Sequence, residues 1–262
     1  MAAETGIQGL DRMALVLDAI AKRGPSRVAD IVQATGLGQS TVSRLLAALE
    51  RLDYVVRDPE TGAHRLGLVF LELAGVALNE QMVYRHARQP AQRLAAELGL
   101  GVNVAIRRGS ELYYLCNFEG PLAPKNFTLM GQRNPLHATG LGKCLLSGLE
   151  PDERRRLLPE LTPFTMRTIT DHDDLDDVIA GVRRWGYSTE REELALGRSC
   201  VAAPIRDSAG SIVGAVSISG SLSVLDLDAR EAEIAQRAVE IADSISTALG
   251  YAGPGNTMTA LV

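Results

Sequence analysis

Cys116, Cys144 and Cys200, with His64, His86, His137 and His172, are the side chains suited to nucleophilic, redox or metal chemistry. No Cys-x-x-Cys pair occurs and the histidines are scattered, so no metal is expected. Arg198 stands two residues before Cys200 and would favour its thiolate, and His137 is the one plausible base. Nothing in the sequence brings His137 and Cys200 together. A pocket-lining thiol is the first expectation for Cys200, and a thiol-based redox sensor or enzyme the alternative. Thr139-Gly140-Leu141-Gly142-Lys143 resembles a phosphate loop, but the full pattern needs Gly in place of His137 and Ser or Thr in place of Cys144. Nucleotide hydrolysis is set aside. Asp171, Asp173, Asp174, Asp176 and Asp177 surround His172 without the Gly and terminal Glu of a calcium loop. They suit the start of a helix, where acids complement the dipole. No cofactor is expected.

A different chemistry is offered by Gln39, Ser40, Thr41, Ser43 and Arg44. A helix that enters the major groove needs short hydrogen-bonding side chains and an Arg near its start. These residues lie off the apolar stripe Val42, Leu45, Leu46, Leu49 and Leu52, which predicts a helix from Gln39 or Ser40. Before it, Val28, Ile31 and Val32 give a short helix with Ser26 as N-cap, and Gly36-Leu37-Gly38 breaks it. After it, Tyr54–Arg57 and His64–Leu66 read as strands across the turn Asp58-Pro59-Glu60-Thr61-Gly62. The whole is a winged helix-turn-helix, with Leu10, Met13, Ala14, Leu17 and Ile20 as the supporting first helix. Arg27, Arg57 and Arg65 join the five residues of the helix as candidate DNA contacts, Arg57 and Arg65 near phosphates.

The chain of 262 residues is long enough for two domains, and 46% hydrophobic residues support packed cores. No apolar run reaches the roughly 20 residues a membrane span needs, and the N-terminus lacks signal-peptide character. A cytoplasmic protein with reduced thiols and no membrane partner is expected. The net charge of −5 argues against a strongly basic nucleic-acid binder, but residues 1–70 carry eight Lys or Arg against eight Asp or Glu. A neutral domain with Arg on one face binds DNA most easily as a dimer, which doubles the phosphate contacts.

A winged helix-turn-helix is expected over residues 1–70 and a linker and dimerisation helix over 71–89, within a longer helical pattern from Leu66 to Gln89. Pro90 opens a further segment, 90–250. Its expected elements are a helix Ala91–Leu98, strands Val102–Ile106 and Leu112–Phe118, a candidate strand Lys125–Gly131 and a helix His137–Gly148. They continue with a polar helix after Pro151, a helix Leu175–Trp185, a hairpin of Cys200–Ile205 with Ile212–Ser219, and a long helix Asp228–Leu249. Strand pairs with flanking helices predict an antiparallel α+β domain. Residues 251–262 are expected to be a flexible tail.

Three stretches resemble the IclR family of bacterial transcriptional regulators: STVSRLLAALERLDYV with HRLG, LHATGLGKCLLSGL, and GYSTEREELALGRSCVAAPIRDSAGSIVGAVSISG. The resemblance covers residues 8 to 249. It implies a C-terminal effector-binding domain similar to the GAF fold, a homodimer or dimer of dimers, and a near-palindromic double-stranded operator. It further implies a small-molecule effector of organic or aromatic acid type, and control of a catabolic operon as a repressor. Carried over by position, the effector pocket uses Gly140, Leu141, Glu190, Arg198, Cys200, Ser217 and Ser219, with Met130 as an apolar neighbour. Glu190 stands where the family commonly has Asp, and Arg198 where other members can have an apolar residue. Arg198 can pair with a ligand carboxylate or with Glu190.

Overall fold

The structure is a computed structural model that describes residues 2–123 and 128–253, with side chains from residue 8. It divides into two compact units, Met1–Ala77 and Leu78–Val262.

The first unit runs α1 (Ala2–Arg23), α2 (Val28–Thr35), α3 (Gln39–Arg51), β1 (Val55–Arg57), β2 (His64–Leu66) and the start of α4 (Val69–Glu80). Val16, Ile20, Ile31, Val42, Leu46, Leu49 and Val55 make its core. Gly36 ends α2 with φ 69°, a left-handed conformation that glycine adopts without steric cost, and its N–H donates to Val32 O. Two local expectations fail. Ser26 is not the N-cap of α2: its backbone pairs with His64 at 2.9 and 2.7 Å, its hydroxyl donates to Gly24 O, and Arg27 takes the cap position. Leu52 is 61% exposed, because α3 ends at Arg51 and the 3.6-residue period no longer applies. The wing turn is set by the Asp58 carboxylate, which accepts from the N–H groups of Glu60 and Thr61 at 2.9 and 2.8 Å.

The expected single helix through 66–89 is two helices, α4 and α5 (Met82–Leu98), separated at Gln81. No residue of α4 is buried, and Leu71, Leu73 and Val76 are exposed. Pro90 does not open a segment; it lies inside α5. Proline forfeits one helical hydrogen bond, but Val83, Ala87, Ala91 and Leu94 form one buried stripe on both sides of it. Packing therefore outweighs the lost bond.

The second unit continues with β3 (Gly101–Arg108), β4 (Glu111–Phe118), β5 (Arg133–Pro135), α6 (Gly140–Leu146), α7 (Pro151–Leu157), α8 (His172–Trp185), β6 (Ser188–Arg191), β7 (Arg198–Arg206), β8 (Ile212–Ser221), α9 (Leu222–Leu225) and α10 (Leu227–Ala248). The strands form one antiparallel sheet in the order β5-β4-β3-β8-β7-β6. Side-chain alternation divides it into two faces. Val102, Val104, Val201, Ala203, Val216 and Ile218 pack with α5 and α10. Ala105, Ala202 and Ala215 pack with Leu141, Cys144 and Leu145 of α6 and with Leu175, Ile179 and Val182 of α8.

The candidate strand Lys125–Gly131 lies partly outside the described residues; 128–129 are irregular and 130–131 turn, and the strand on the far side of β4 from β3 is β5. Helix α6 is shorter than the expected His137–Gly148. Thr139 caps it by accepting from Gly142 N at 3.0 Å, which leaves His137 and Ala138 outside the helix. Asp171 caps α8, accepting from Asp173 N and Asp174 N, so the acidic run is a helix start. Residues 251–253 follow the last helix as coil, and the rest of the expected tail lies outside the described residues.

A Cβ on Gly142 would stand 2.0 Å from Leu136 O, a backbone atom. Gly142→Ala should therefore destabilise the second unit by at least about 1–3 kcal/mol, read as a lower denaturation midpoint of the full chain. Gly75→Ala in α4, where nothing lies within 4 Å of the added carbon, should not lower it. Equal midpoints for both variants would contradict the close seating of α6.

Candidate DNA interface and ligand cavity

On α3, Ser40, Ser43, Arg44, Ala47 and Arg51 recur at helical spacing and all are exposed, forming one stripe opposite buried Val42, Leu46 and Leu49. Gln39 is exposed beside it and Thr41 is half-buried. Among the described residues none of these polar side chains has a hydrogen-bond or ion-pair partner, so all are open to a ligand. Arg51 extends the face by one turn; its spacing of seven from Arg44 was the available signal. Gly38 offers no side-chain cap, which leaves the first N–H groups of α3 open.

The two wing arginines take different faces of the hairpin. Arg57 pairs in register with buried His64, and Arg65 with Val56. The pleat therefore sends Arg57 and Arg65 to opposite faces of the hairpin. Arg27 is not wholly free: its Nε donates to Thr61 O at 3.1 Å and ties the start of α2 to the wing turn. His64 Nε2 and Glu50 Oε1, 3.0 Å apart, tie β2 to the end of α3.

In the second unit a cavity of about 820 Å³ opens over the face of the sheet that carries α6. Its floor follows from cross-strand register. Gly101, Ser219, Cys200 and Glu190 stand in one row across β3, β8, β7 and β6. Asn117, Asn103, Ser217 and Ala202 form the next. Asn103 Nδ2 donates to Ser219 Oγ at 3.1 Å and to Ser217 Oγ at 3.4 Å, and Asn117 Nδ2 donates to Asn103 Oδ1 at 2.9 Å. Leu141, Glu190, Arg198, Cys200, Ser217 and Ser219 all line the cavity.

Two expected members do not. Gly140 lies against its edge, where a Cβ would come 2.9 Å from Cys200 Sγ. Met130 is exposed and not among the lining residues, and its neighbour Leu129, which packs on the α6-side core, takes that wall. Sequence reasoning missed Asn103, Tyr114, Gln132 and Asn134. A polar Asn103 between Val102 and Val104 in a strand was the one visible sign.

The anticipated pairing of Arg198 with Glu190 is not formed. Arg198 has no hydrogen-bond or ion-pair partner among the described residues. Glu190 Oε1 instead accepts from the N–H groups of Glu193 and Leu194 at 2.6 and 3.3 Å. Burial pushes the Glu190 carboxyl up to about 7, against the pull of those two donors. Lys143, 1% exposed on α6, donates to Glu193 and to Thr189 O. That buried engagement removes the lysine from any phosphate loop. Burial, with the nearby charge of Glu190, pushes the Cys200 thiol well above its ordinary range. His137 is engaged at Thr162 O, 3.0 Å away, and burial lowers its pKa. A protonated thiol with an engaged imidazole does not favour the alternative of a redox sensor or enzyme.

Residues 9–59 match the IclR helix-turn-helix domain, and residues 75–247 match the C-terminal domain of bacterial IclR transcriptional regulators. The chain is 35% identical over 251 residues to the HTH-type transcriptional repressor AllR of Escherichia coli, covering 95% of this chain and 92% of that protein. A putative transcriptional regulator of Rhodococcus superposes with a TM-score of 0.80 at 30% identity, over 92% of this chain and 98% of that one. An IclR homolog from Microbacterium hydrocarbonoxydans, solved with 4-hydroxybenzoate, superposes with a TM-score of 0.79 at 26% identity, over 92% and 98%. A winged helix followed by a GAF-like domain, each matched in order along nearly the whole chain, makes this protein a member of the IclR family of bacterial transcriptional regulators.

Proposed function

We propose that this regulator represses a catabolic operon, binding a near-palindromic operator and changing its affinity when a small organic acid fills the cavity. The observation that carries the proposal is Arg198, an unpaired guanidinium at a cavity floored by Asn103, Ser217 and Ser219. Such a site offers a fork of donors to a carboxylate and neutral hydrogen bonds to the rest of the ligand. The AllR relatives are named as repressors, and a relative holds 4-hydroxybenzoate. A regulator of this kind acts by binding, without catalysis, in the cytoplasm; no helix among the described residues is long and apolar enough to cross a membrane.

The reading face on α3 spans Ser40 to Arg51, with Gln39 and Thr41 at its flank. One such helix covers too few base pairs for genomic specificity, so a homodimer or dimer of dimers presents two or more. The exposed Leu71, Leu73 and Val76 of α4 are the contact proposed for assembly. Linkage requires the effector to prefer one arrangement of the assembly, and a coupling of about 1–3 kcal/mol suffices for a switch.

Arg44→Ala should cost about 1–3 kcal/mol in operator affinity, if it pairs bidentately with guanine, without altering the melting temperature. An unchanged gel-shift titration removes it from the face. Because the pleat parts Arg57 from Arg65, removing one should weaken operator and random DNA alike and flatten the salt dependence, while removing the other changes neither. Equal effects from both would contradict that separation. In calorimetry with acids of the neighbouring catabolic pathway, Ser219→Ala should weaken effector binding and leave ligand-free operator affinity intact. A parental response would place the effector elsewhere.

A further inference from the structure

We infer that Glu190 sets the specificity of the cavity by standing in it as a neutral carboxylic acid, donating a hydrogen bond to the effector while Arg198 takes the effector's negative charge. This rests on the cavity being the effector site. It adds the charge state of one wall, and hence the selection of a monoanion and a pH-dependent response.

The geometry is one of charge balance. Two buried carboxylates, Glu190 and Glu193, lie beside a single buried ammonium, Lys143. The ammonium spends its donors on Glu193 and Thr189 O and none on Glu190. Glu190 Oε1 is used by two backbone N–H groups, and its other oxygen has no partner among the described residues. Glu193 Oε2 is also buried without a partner. Neither Lys143 nor Arg198 makes an ion pair or hydrogen bond with Glu190 among the described residues, and a buried carboxylate without a direct counter-ion gains by binding a proton. Burial is the leading cause that raises both carboxyls, and the one lining the cavity is raised to about 7.

Four ionisable groups act on Glu190 directly, Lys143, Tyr114, Glu193 and Cys200, while Arg198 lines the same cavity and Cys144 lies beside Cys200. Lys143 and Cys144 come from α6, and Tyr114 from β4. Glu193 comes from the β6–β7 connection, and Arg198 and Cys200 from β7. Cys144, Cys200 and Tyr114 are all pushed upward by burial and stay neutral near pH 7. With Lys143 and Glu193 cancelling, a protonated Glu190 leaves Arg198 as the net charge of the site. An ionised Glu190 cancels it.

The sign of the pH dependence follows. The raised pKa means that the folded protein holds this proton until the pH passes neutrality. An anion beside Glu190 favours the protonated form, and by reciprocity protonation favours the anion. If the ionised form excludes the anion, affinity should fall about tenfold between about pH 6 and about pH 8.

The test uses the full-length protein, labelled with ¹³C at the glutamate carboxyls, with acetate as the probe anion. One carboxyl should titrate near neutrality, that signal should vanish in Glu190→Gln, and excess acetate should move its midpoint upward. Arg198→Met should abolish the acetate effect. The inference is overturned if no carboxyl titrates above about pH 6, if the near-neutral signal survives Glu190→Gln, or if acetate leaves its midpoint in place. The wild-type titration with and without acetate decides the matter even if a variant does not fold. Failure here with an intact Ser219-dependent effector response overturns only the proton. Loss of any cavity-directed response in the Ser219→Ala experiment overturns the cavity itself.

Discussion

Helix α6 lies on the sheet at a separation that only glycine permits, and the rest of the second unit is arranged around that contact. A Cβ on Gly140 would meet Cys200 Sγ at 2.9 Å and Ala202 Cβ at 3.3 Å, and one on Gly142 would run into the Leu136 backbone. The close approach draws Lys143 below the surface, where an unpaired ammonium would be costly to bury. Glu193 must therefore come in to meet it. That pulls the β6–β7 connection over the sheet, where Thr165 and Thr168 hold the carbonyls of Glu192 and Glu193. The same bend aims the N–H groups of Glu193 and Leu194 at Glu190. The cavity is the space left between this tightly seated helix and the polar end of the sheet.

The first unit solves a simpler problem. Its core needs one stripe of each helix, and the opposite stripe of α3 is left with small or flexible side chains. Ala47 at its centre has no bulk to hold a duplex away, and the acidic side chain nearest in sequence, Glu50, is turned to His64. A unit of balanced charge thus keeps an Arg-bearing face free of local carboxylates, which the global net charge would not suggest.

The elements with strong periodicity were legible in the sequence: α1 to α3, the wing, the β7–β8 hairpin and α10. Where the reading failed, local preference gave way to packing. Pro90 marked a boundary by propensity, yet a buried stripe carries α5 through it. Ser26 is a good cap by type, but its backbone is already committed to His64. The cavity was legible as far as strand alternation reaches, which is why Ser217, Ser219 and Cys200 share a face. Asn103, Tyr114 and Asn134 come from strands distant in sequence, and only the pairing order β5-β4-β3-β8 brings them to that face. Lys143 was hidden for the opposite reason, since a lysine is expected in water unless paired.

The hydrogen bonds within the cavity wall bear on how such a site would signal. Asn103, Asn117, Ser217 and Ser219 already bond to one another, so a ligand exchanges those bonds rather than creating them, at a net gain of about 0.5–1.5 kcal/mol each. Ser217, at 3.4 Å from Asn103, is the partner most easily recruited. Arg198 stands apart, because it has no bond to give up. The largest increment in affinity therefore comes from the group held by β7 at the mouth of the connection that carries Glu193. An anion there adds charge beside two buried carboxylates, of which only Glu193 holds Lys143. On the proposed reading, effector occupancy would be felt first by the β6–β7 connection, which the Lys143–Glu193 pair and the Thr165 and Thr168 hydroxyls hold in place. A regulatory domain needs such a place, where a small change in charge competes with a fold that is otherwise fixed.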